Sequence, residues 1–572
     1  MILNRITSLS PGNRLILDLS IIFLFAILIV VPIYLYGIPG GPDMYQHLQF
    51  AQTFYESFKS GEFFPSWAAN PNNGYGDVSV RFYPPLTYYL FVLFRSLAGN
   101  WFDGTCLLIV FLFFIGSVGV YFWSREWFSE NASLAGALIY AIIPHHTNQI
   151  YQASFIAEFT AASILPFCFL FVNRICRRGK FADCCGLSLA FSLLLLTHLP
   201  TTIMSAFILV IYSLLSLKRD SLIQSLLKLS ASVSVSLLLS SFYWVRMITE
   251  LNFVQHNSEA YSTNYFSYKS HFIFLDFIEK VGDLSFLPID LRILLTLVVL
   301  TPCLIIYFIK LKNKTAPRLN NVLVITFLSL FMATSLSSIF WEYIPLFQKI
   351  QFPWRWLIFF CFGSAVIVSS VFDDILAFLR TPKRPLAILA IGLFCILPIY
   401  FLGASIQHPF YYPKDYFNTV IERFKSGPSN DCWWTTWAAN LKDKPFDINP
   451  RKLPAQLSDR VVLNDRAFEI QKWEATERDF TIKAGEGGQA AVATMYYPYW
   501  KVQVNEKSVE MTPNEGGMMS FPVPAEESKV KIYFQEPPRV IISYYVSGAA
   551  WILFIAILFF QMIKRVKNPT NI

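Results

Sequence analysis

The sequence predicts a polytopic α-helical membrane protein carrying a β-sandwich-like domain near its C-terminal end. Three observations carry this. The chain of 572 residues is 54% hydrophobic and only 15% charged, where soluble proteins hold about 25% charged residues. Twelve apolar runs approach the ~20 residues that a membrane helix needs. Between the last two runs lies a long polar stretch, 405–540, whose apolar residues alternate as they do in strands.

The apolar runs fall at roughly 15–36, 104–123, 132–147, 158–173, 184–199, 201–217, 227–246, 290–309, 320–340, 355–372, 385–404 and 541–562. A thirteenth, 84–98, is short, opens on Pro84-Pro85 and carries Arg95. Basic residues decide how to treat it. If it does not cross, Arg174, Arg177, Arg178 and Lys180 share one side with Lys218, Arg219, Lys310, Lys312, Lys314, Arg318, Arg380, Lys383, Arg384, Lys564, Arg565 and Lys567. Arg5 and Arg14 join them, as the cytoplasmic bias of Lys and Arg demands. If it crossed, those later loops would all move outside. The segment 84–98 therefore reads as an interfacial or re-entrant helix, and both termini as cytoplasmic. Leu15–Tyr36 is too long an apolar run for a cleavable signal.

This arrangement divides the chain into a transmembrane part, 1–404, with a long first outer loop at 37–103, then an outer mostly-β domain at 405–540, and a last span with its tail at 541–572. Within the outer domain, strands are expected at Phe480–Ile482, Ala490–Met495, Trp500–Val504, Ser520–Val523 and Val530–Phe534, with turns at Gly485–Gly488 and Asn514–Gly517. The nine cysteines form neither a disulfide framework nor a C-x-x-C zinc pattern. The net charge of +8 sits in short loops, where it sets orientation, and so gives no reason to expect nucleic acid.

Candidate chemistry gathers at the outer ends of spans. Asp43 follows Pro42 soon after the first span, at a helix start, and His47 lies one turn on. A carboxylate there can serve as an acid or base, or simply stabilise a helix N-terminus. Glu158 sits at the outer mouth of the fourth span, where a carboxylate is costly unless solvated, paired or metal-bound. Shortly before it come His145 and His146; neighbours on a helix point in different directions, so they are weak as a metal pair. Arg355, in Phe352-Pro353-Trp354-Arg355-Trp356, presents a planar cationic fork suited to phosphate, or an anchor in an aromatic belt. His198 occupies a tight outer turn, and Trp433, Trp434 and Trp437 open the polar stretch. Nucleotide-binding, dinucleotide-binding and zinc-protease motifs are missing from the sequence, as is a nucleophile elbow.

Four pieces together resemble the bacterial membrane proteins described as 6-pyruvoyl-tetrahydropterin-synthase-related. They are Asp43-Met44-Tyr45-Gln46-His47, Ala157-Glu158 ahead of Pro166, Thr197-His198-Leu199-Pro200, and Phe352-Pro353-Trp354-Arg355. The late Tyr497-Pro498-Tyr499-Trp500-Lys501-Val502 extends the likeness. The layout also resembles the GT-C superfamily of membrane glycosyltransferases. One departure stands out: an Arg expected a few residues before the Glu is replaced by Gln152-Ala153-Ser154. The family label is no guide to activity, because a pterin synthase needs clustered zinc-binding histidines and the seven here are scattered.

The resemblance implies a multi-pass protein of a bacterial inner membrane. It would move a sugar from a polyprenyl-phosphate donor to a glycan, lipid or protein acceptor on the outer face, in contact with membrane lipid. Asp43 would be the base and Glu158 a second acid or the holder of a divalent cation, Mg or Mn. Arg355 would bind the donor phosphate, with His47, His146 and His198 as further substrate or metal contacts. The three tryptophans would stack on the acceptor. Rival expectations are a transporter or flippase for a lipid-linked glycan, and a non-catalytic scaffold with an outer binding domain.

Overall fold

The computed structural model describes residues 10–257, 266–275, 289–313, 319–406, 410–438 and 457–567. Arg5, Lys314 and Arg318, part of the orientation argument, lie outside the described residues, as does the stretch 439–456 of the outer domain. All twelve apolar runs are helical. Among the described residues nine helices are long and apolar enough to cross a membrane. The others are interrupted for local reasons. Pro144 disfavours helical geometry at the residue before it, so Glu130–Ile142 stops there and Ile143 is extended. The run 385–404 is one of the nine, although Cys395 separates Arg384–Phe394 from Ile396–Ile406 within it. Leu86–Ala98 has 13 residues, about 20 Å of helix against a ~30 Å hydrocarbon core, which suits an interfacial segment.

The described chain divides into two compact units, each assembled from separated stretches. The first contains Met1–Met44, Leu93–Ser236 and Ser267–Phe417. Its centre is built from Ile156–Arg177 and Pro353–Phe378, whose most apolar windows are 83% and 89% buried. Pro11–Tyr36 instead leaves Ile16, Leu24, Leu28 and Leu35 exposed, an apolar surface that lipid covers. Small residues allow close helix approach: a Cβ at Gly136 would meet Ser369 Oγ at 1.9 Å, and one at Gly116 would meet Ser163 Cα at 3.2 Å.

Charges mark one end of this unit. Glu126 takes Arg174 at 2.8 Å and Arg178 at 2.8 Å, Arg14 pairs with Asp18 at 3.0 Å, and Arg14 donates to Asn131 at 2.7 Å. Lys310 pairs with Asp374, next to Asp373, which accepts from Ser129 at 2.7 Å. The basic loops at 14, 174–178 and 310 therefore share an end, as the alternation of spans requires.

The second unit contains Tyr45–Val92, Leu237–Phe266 and Asn418–Ile572. All five expected strands are present, Trp500–Val504 as expected and the other four longer, at Glu477–Ile482, Gly488–Met495, Met518–Val523 and Ser528–Phe534. With Val461–Val462, Phe468–Trp473, Lys507–Val509 and Thr512–Pro513 they make antiparallel sheets of four and five strands. Alternation holds: Trp500, Val502 and Val504 are buried and Lys501 is exposed. Elsewhere in this unit the buried Arg81 is held by Glu250 at 2.7 Å and Glu536 at 2.6 Å, while Tyr497 donates to Glu250 at 2.7 Å. The final helix, Pro538–Lys567, has an apolar window only 11% buried, as befits a span that meets lipid on most sides.

Candidate functional site

The first unit brings Asp43, Glu158 and Arg355 together. Glu158 lies in the first turn of Ile156–Arg177 and is buried. Burying a carboxylate is costly without partners, and both its oxygens have one: Gln149 Nε2 donates to Oε1 at 2.8 Å and Arg355 Nε donates to Oε2 at 3.1 Å. Arg355 also donates from Nη1 to the Ile350 carbonyl at 2.7 Å, and its guanidinium lies 4.8 Å from the Phe352 ring centre and 5.8 Å from that of Trp354. The Pro353 turn thus carries a cation already aimed at Glu158. Asp43 interacts electrostatically with both.

A backbone clasp explains how Asp43 arrives here. The glycine-rich segment after the first span pairs with Tyr411–Tyr412, Ile38 opposite Tyr412, and Gly40 N–H donates to the Phe410 carbonyl at 3.0 Å. On its other side, Ser154 Oγ accepts from Gly41 N–H at 3.0 Å and donates to the Pro39 carbonyl at 3.0 Å. Ser154 adopts φ +55°, a left-handed geometry uncommon outside glycine. It stands in the turn just ahead of the Glu158 helix. A Cβ at Gly41 would lie 2.5 Å from the Ala153 carbonyl carbon, so only glycine allows this approach.

Asp43 is reachable by solvent, yet the protein packed around it weakens its solvation. That burial pushes its pKa up to about 6, with the Arg355 guanidinium opposing the shift. Among the described residues its carboxylate accepts no hydrogen bond. It is therefore the one acid of the pair with its lone pairs open, and it titrates near neutrality, the range in which a general base works best. Glu158, committed to Gln149 and Arg355, is suited to holding the arginine in place. A divalent cation finds only one carboxylate here that is not already paired, that of Asp43, and among the described residues no three His, Cys, Asp or Glu side chains are grouped to hold a metal.

The remaining sequence candidates lie in packed surroundings. His47 is buried, bonds through Nδ1 to the Tyr88 hydroxyl at 2.9 Å and sits among Tyr83 and Tyr88; burial lowers its pKa to about 3, so it is a neutral core residue. His146 is layered between Tyr140 and Phe159, with ring centres at 4.2 and 4.6 Å. His198 caps Leu199–Ser216 through Thr201, whose hydroxyl is 2.8 Å from Nδ1. Trp434 is buried with Nε1 donating to Ser429, and Trp433 is enclosed by Phe50, Tyr83 and His256. Trp437, against Phe253 and Tyr496, keeps part of its surface open. Sequence reasoning missed Gln149, Ser154 and Gly41 as positioning residues; only the glycine cluster 37–41 carried a hint of them.

Comparison with known proteins places the chain. No curated protein matches it. Among solved structures it is similar to the Archaeoglobus fulgidus oligosaccharyltransferase in the apo form, with 13% identity, TM-score 0.43, and 69% of this chain against 56% of that one. It is also similar to the arabinofuranosyltransferase AftD from Mycobacteria, with 12% identity, TM-score 0.44, 68% against 27%, and to ArnT from Cupriavidus metallidurans bound to undecaprenyl phosphate, with 12% identity, TM-score 0.39, 70% against 76%. It therefore spans about half of the first and a quarter of the second. Residues 80–406 match the 6-pyruvoyl-tetrahydropterin synthase related domain, described as a membrane protein. With more than half its length matched, the chain belongs to the 6-pyruvoyl-tetrahydropterin synthase related family of membrane proteins.

Proposed function

We propose that the protein is a membrane glycosyltransferase of the GT-C kind, moving a sugar from a polyprenyl-phosphate donor to a lipid- or envelope-linked acceptor on the extracytoplasmic face of a bacterial inner membrane. The observation that carries the reading is the convergence of a solvent-reachable Asp43, with a pKa near 6, on the Glu158–Arg355 pair. The acceptor hydroxyl oxygen attacks the anomeric carbon as the bond from that carbon to the phosphate oxygen breaks. The hydroxyl proton passes to Asp43, and the phosphate departs with the bonding electrons. Arg355 stabilises the negative charge that develops on it, held in position by Glu158. The basic ends of the spans lie in the cytoplasm by the orientation rule, which puts the site and the β domain outside.

Asp43→Asn tests this. Membranes holding the variant should lose transfer of labelled sugar from polyprenyl phosphate to endogenous acceptor by 10²-fold or more, about what a positioned base contributes. The protein should remain folded. The Asp43 pKa is raised on folding, so its ionisation opposes folding: the advantage of the protonated form is complete below about 4 and lost as pH rises through about 6. Asp43→Asn should therefore melt no lower than wild type at pH 7. Full transfer by the variant would overturn the assignment.

A further inference from the structure

Beside the acids the first unit holds a cavity of about 450 Å³, bounded by Pro42 and Gln149 on the acid side and reaching His145, Asn148, Arg292 and Trp354. Its wall contains polar atoms that the protein leaves unmatched. Both ring nitrogens of His145, a residue 3% exposed, have no hydrogen-bond partner among the described residues; neither do Asn148 Oδ1 and Arg292 Nε. Arg292 is itself buried and positioned, Nη2 donating to Gln152 at 2.7 Å, with Asp290 and Tyr400 nearby. Asp290 accepts from Phe274 N–H through Oδ1 at 2.8 Å, while its Oδ2 has no hydrogen-bond partner among the described residues, so the carboxylate balances part of the Arg292 charge. Also in the lining, Phe155 and Trp354 stack at 5.3 Å and 9° and supply an apolar surface.

Buried polar atoms without partners are costly unless a ligand meets them. An open acceptor on Asn148, a nitrogen pair on His145 that can donate at one atom and accept at the other, and an aromatic wall together suit a polyhydroxylated ring. The free Nε–H of Arg292 adds a donor that cannot lose its charge, suited to an oxyanion. Resting on the transferase reading, we propose that this cavity binds a monosaccharide bearing an oxyanion, carboxylate or phosphate. Hydroxyls meet Asn148 and His145, the oxyanion meets Arg292, and Pro42 and Gln149 place the ring next to Asp43 and Glu158.

The test is ligand-observed NMR on the full-length protein in detergent, with glucuronate, glucose 6-phosphate and glucose as probes. At least one anionic sugar should bind tenfold or more tightly than glucose. Arg292→Gln should abolish that preference, and His145→Phe, which keeps the ring volume but removes both nitrogens, should weaken all three probes. Because Arg292 also holds Gln152, Asn148→Ala serves as an independent variant and should likewise weaken all probes. Preference for glucuronate identifies a carboxylate as the source of the oxyanion; preference for glucose 6-phosphate identifies a phosphoryl group away from the anomeric carbon. Equal binding of glucose and both anions, or a preference that survives Arg292→Gln, overturns the inference. Binding without transfer activity would leave the cavity assigned and remove the transferase reading. Transfer that depends on Asp43 without selective sugar binding would do the reverse.

Discussion

Replacing Arg355 by glutamine separates the two tasks given to this cation. The first is structural. Glu158 is 3% exposed and Arg355 13% by side chain, with Nε and Oε2 3.1 Å apart, and removing one partner of such a buried pair costs about 3–5 kcal/mol. The second is electrostatic. Arg355 holds down the pKa of Asp43, which burial raises to about 6, so without the guanidinium Asp43 keeps its proton to higher pH. If the value rises by about one unit, the ionised fraction at pH 6 falls from about one half to about one tenth, while at pH 8 it hardly changes. The acidic limb of transfer activity should therefore move to higher pH, with a loss of roughly fivefold at pH 6 from ionisation alone. Arg355→Lys keeps a charge but not the planar fork, and should retain more of the wild-type limb than of its stability. The assay is kcat/KM from pH 5 to 8.5 in detergent-solubilised protein, alongside thermal unfolding. A limb that stays in place in Arg355→Gln would refute the electrostatic link between Arg355 and Asp43, whatever happens to stability.

Further outcomes follow from the same contacts. Gly41→Ala puts a methyl 2.5 Å from the Ala153 carbonyl carbon; displacing Asp43 by even about 1 Å should lower transfer by up to 10²-fold, more than it lowers the melting temperature, and an unchanged rate would show that the clasp does not set the base. Arg81→Gln strands Glu250 and Glu536 and should destabilise the protein by about 3–5 kcal/mol, measured by denaturation; a cost below about 1 kcal/mol would contradict the buried triad. A cysteine at position 178 should react with an impermeant maleimide only after the cytoplasmic side is opened; labelling from outside in intact cells would reverse the orientation.

The sequence carried the large features because they are signals of composition and period. Twelve apolar runs became helices through length and hydrophobicity alone, and Trp500–Val504 announced itself by alternation. Phe468–Trp473 went unremarked although it also pairs in a sheet, its ends half buried and its alternation blurred by a shift of register beyond Ile470. At the site, Asp43, Glu158 and Arg355 were legible because isolated charges at the ends of apolar spans are expensive. Their supports were not. Ser154 and Gly41 matter only through a contact between distant segments, which no local pattern encodes. The surroundings of His47, His146 and Trp434 were equally illegible: they have the composition of a binding site, and in the structure aromatic and polar side chains pack around them.

The pairing of Gly40 with Phe410 and of Ile38 with Tyr412 also has a temporal side. The strand that fastens the Asp43 loop is made roughly 370 residues after the loop itself. At about 5–20 residues per second, the ribosome needs roughly 20–70 s to supply it. Throughout that interval the loop is held on its Ser154 side alone, and the edge that Tyr411–Tyr412 later covers has no partner strand. Under the proposed function, a chain that stops before position 410 should therefore transfer no sugar. The order of synthesis thus leaves the loop fastened on both sides only once the last third of the polypeptide has begun to emerge.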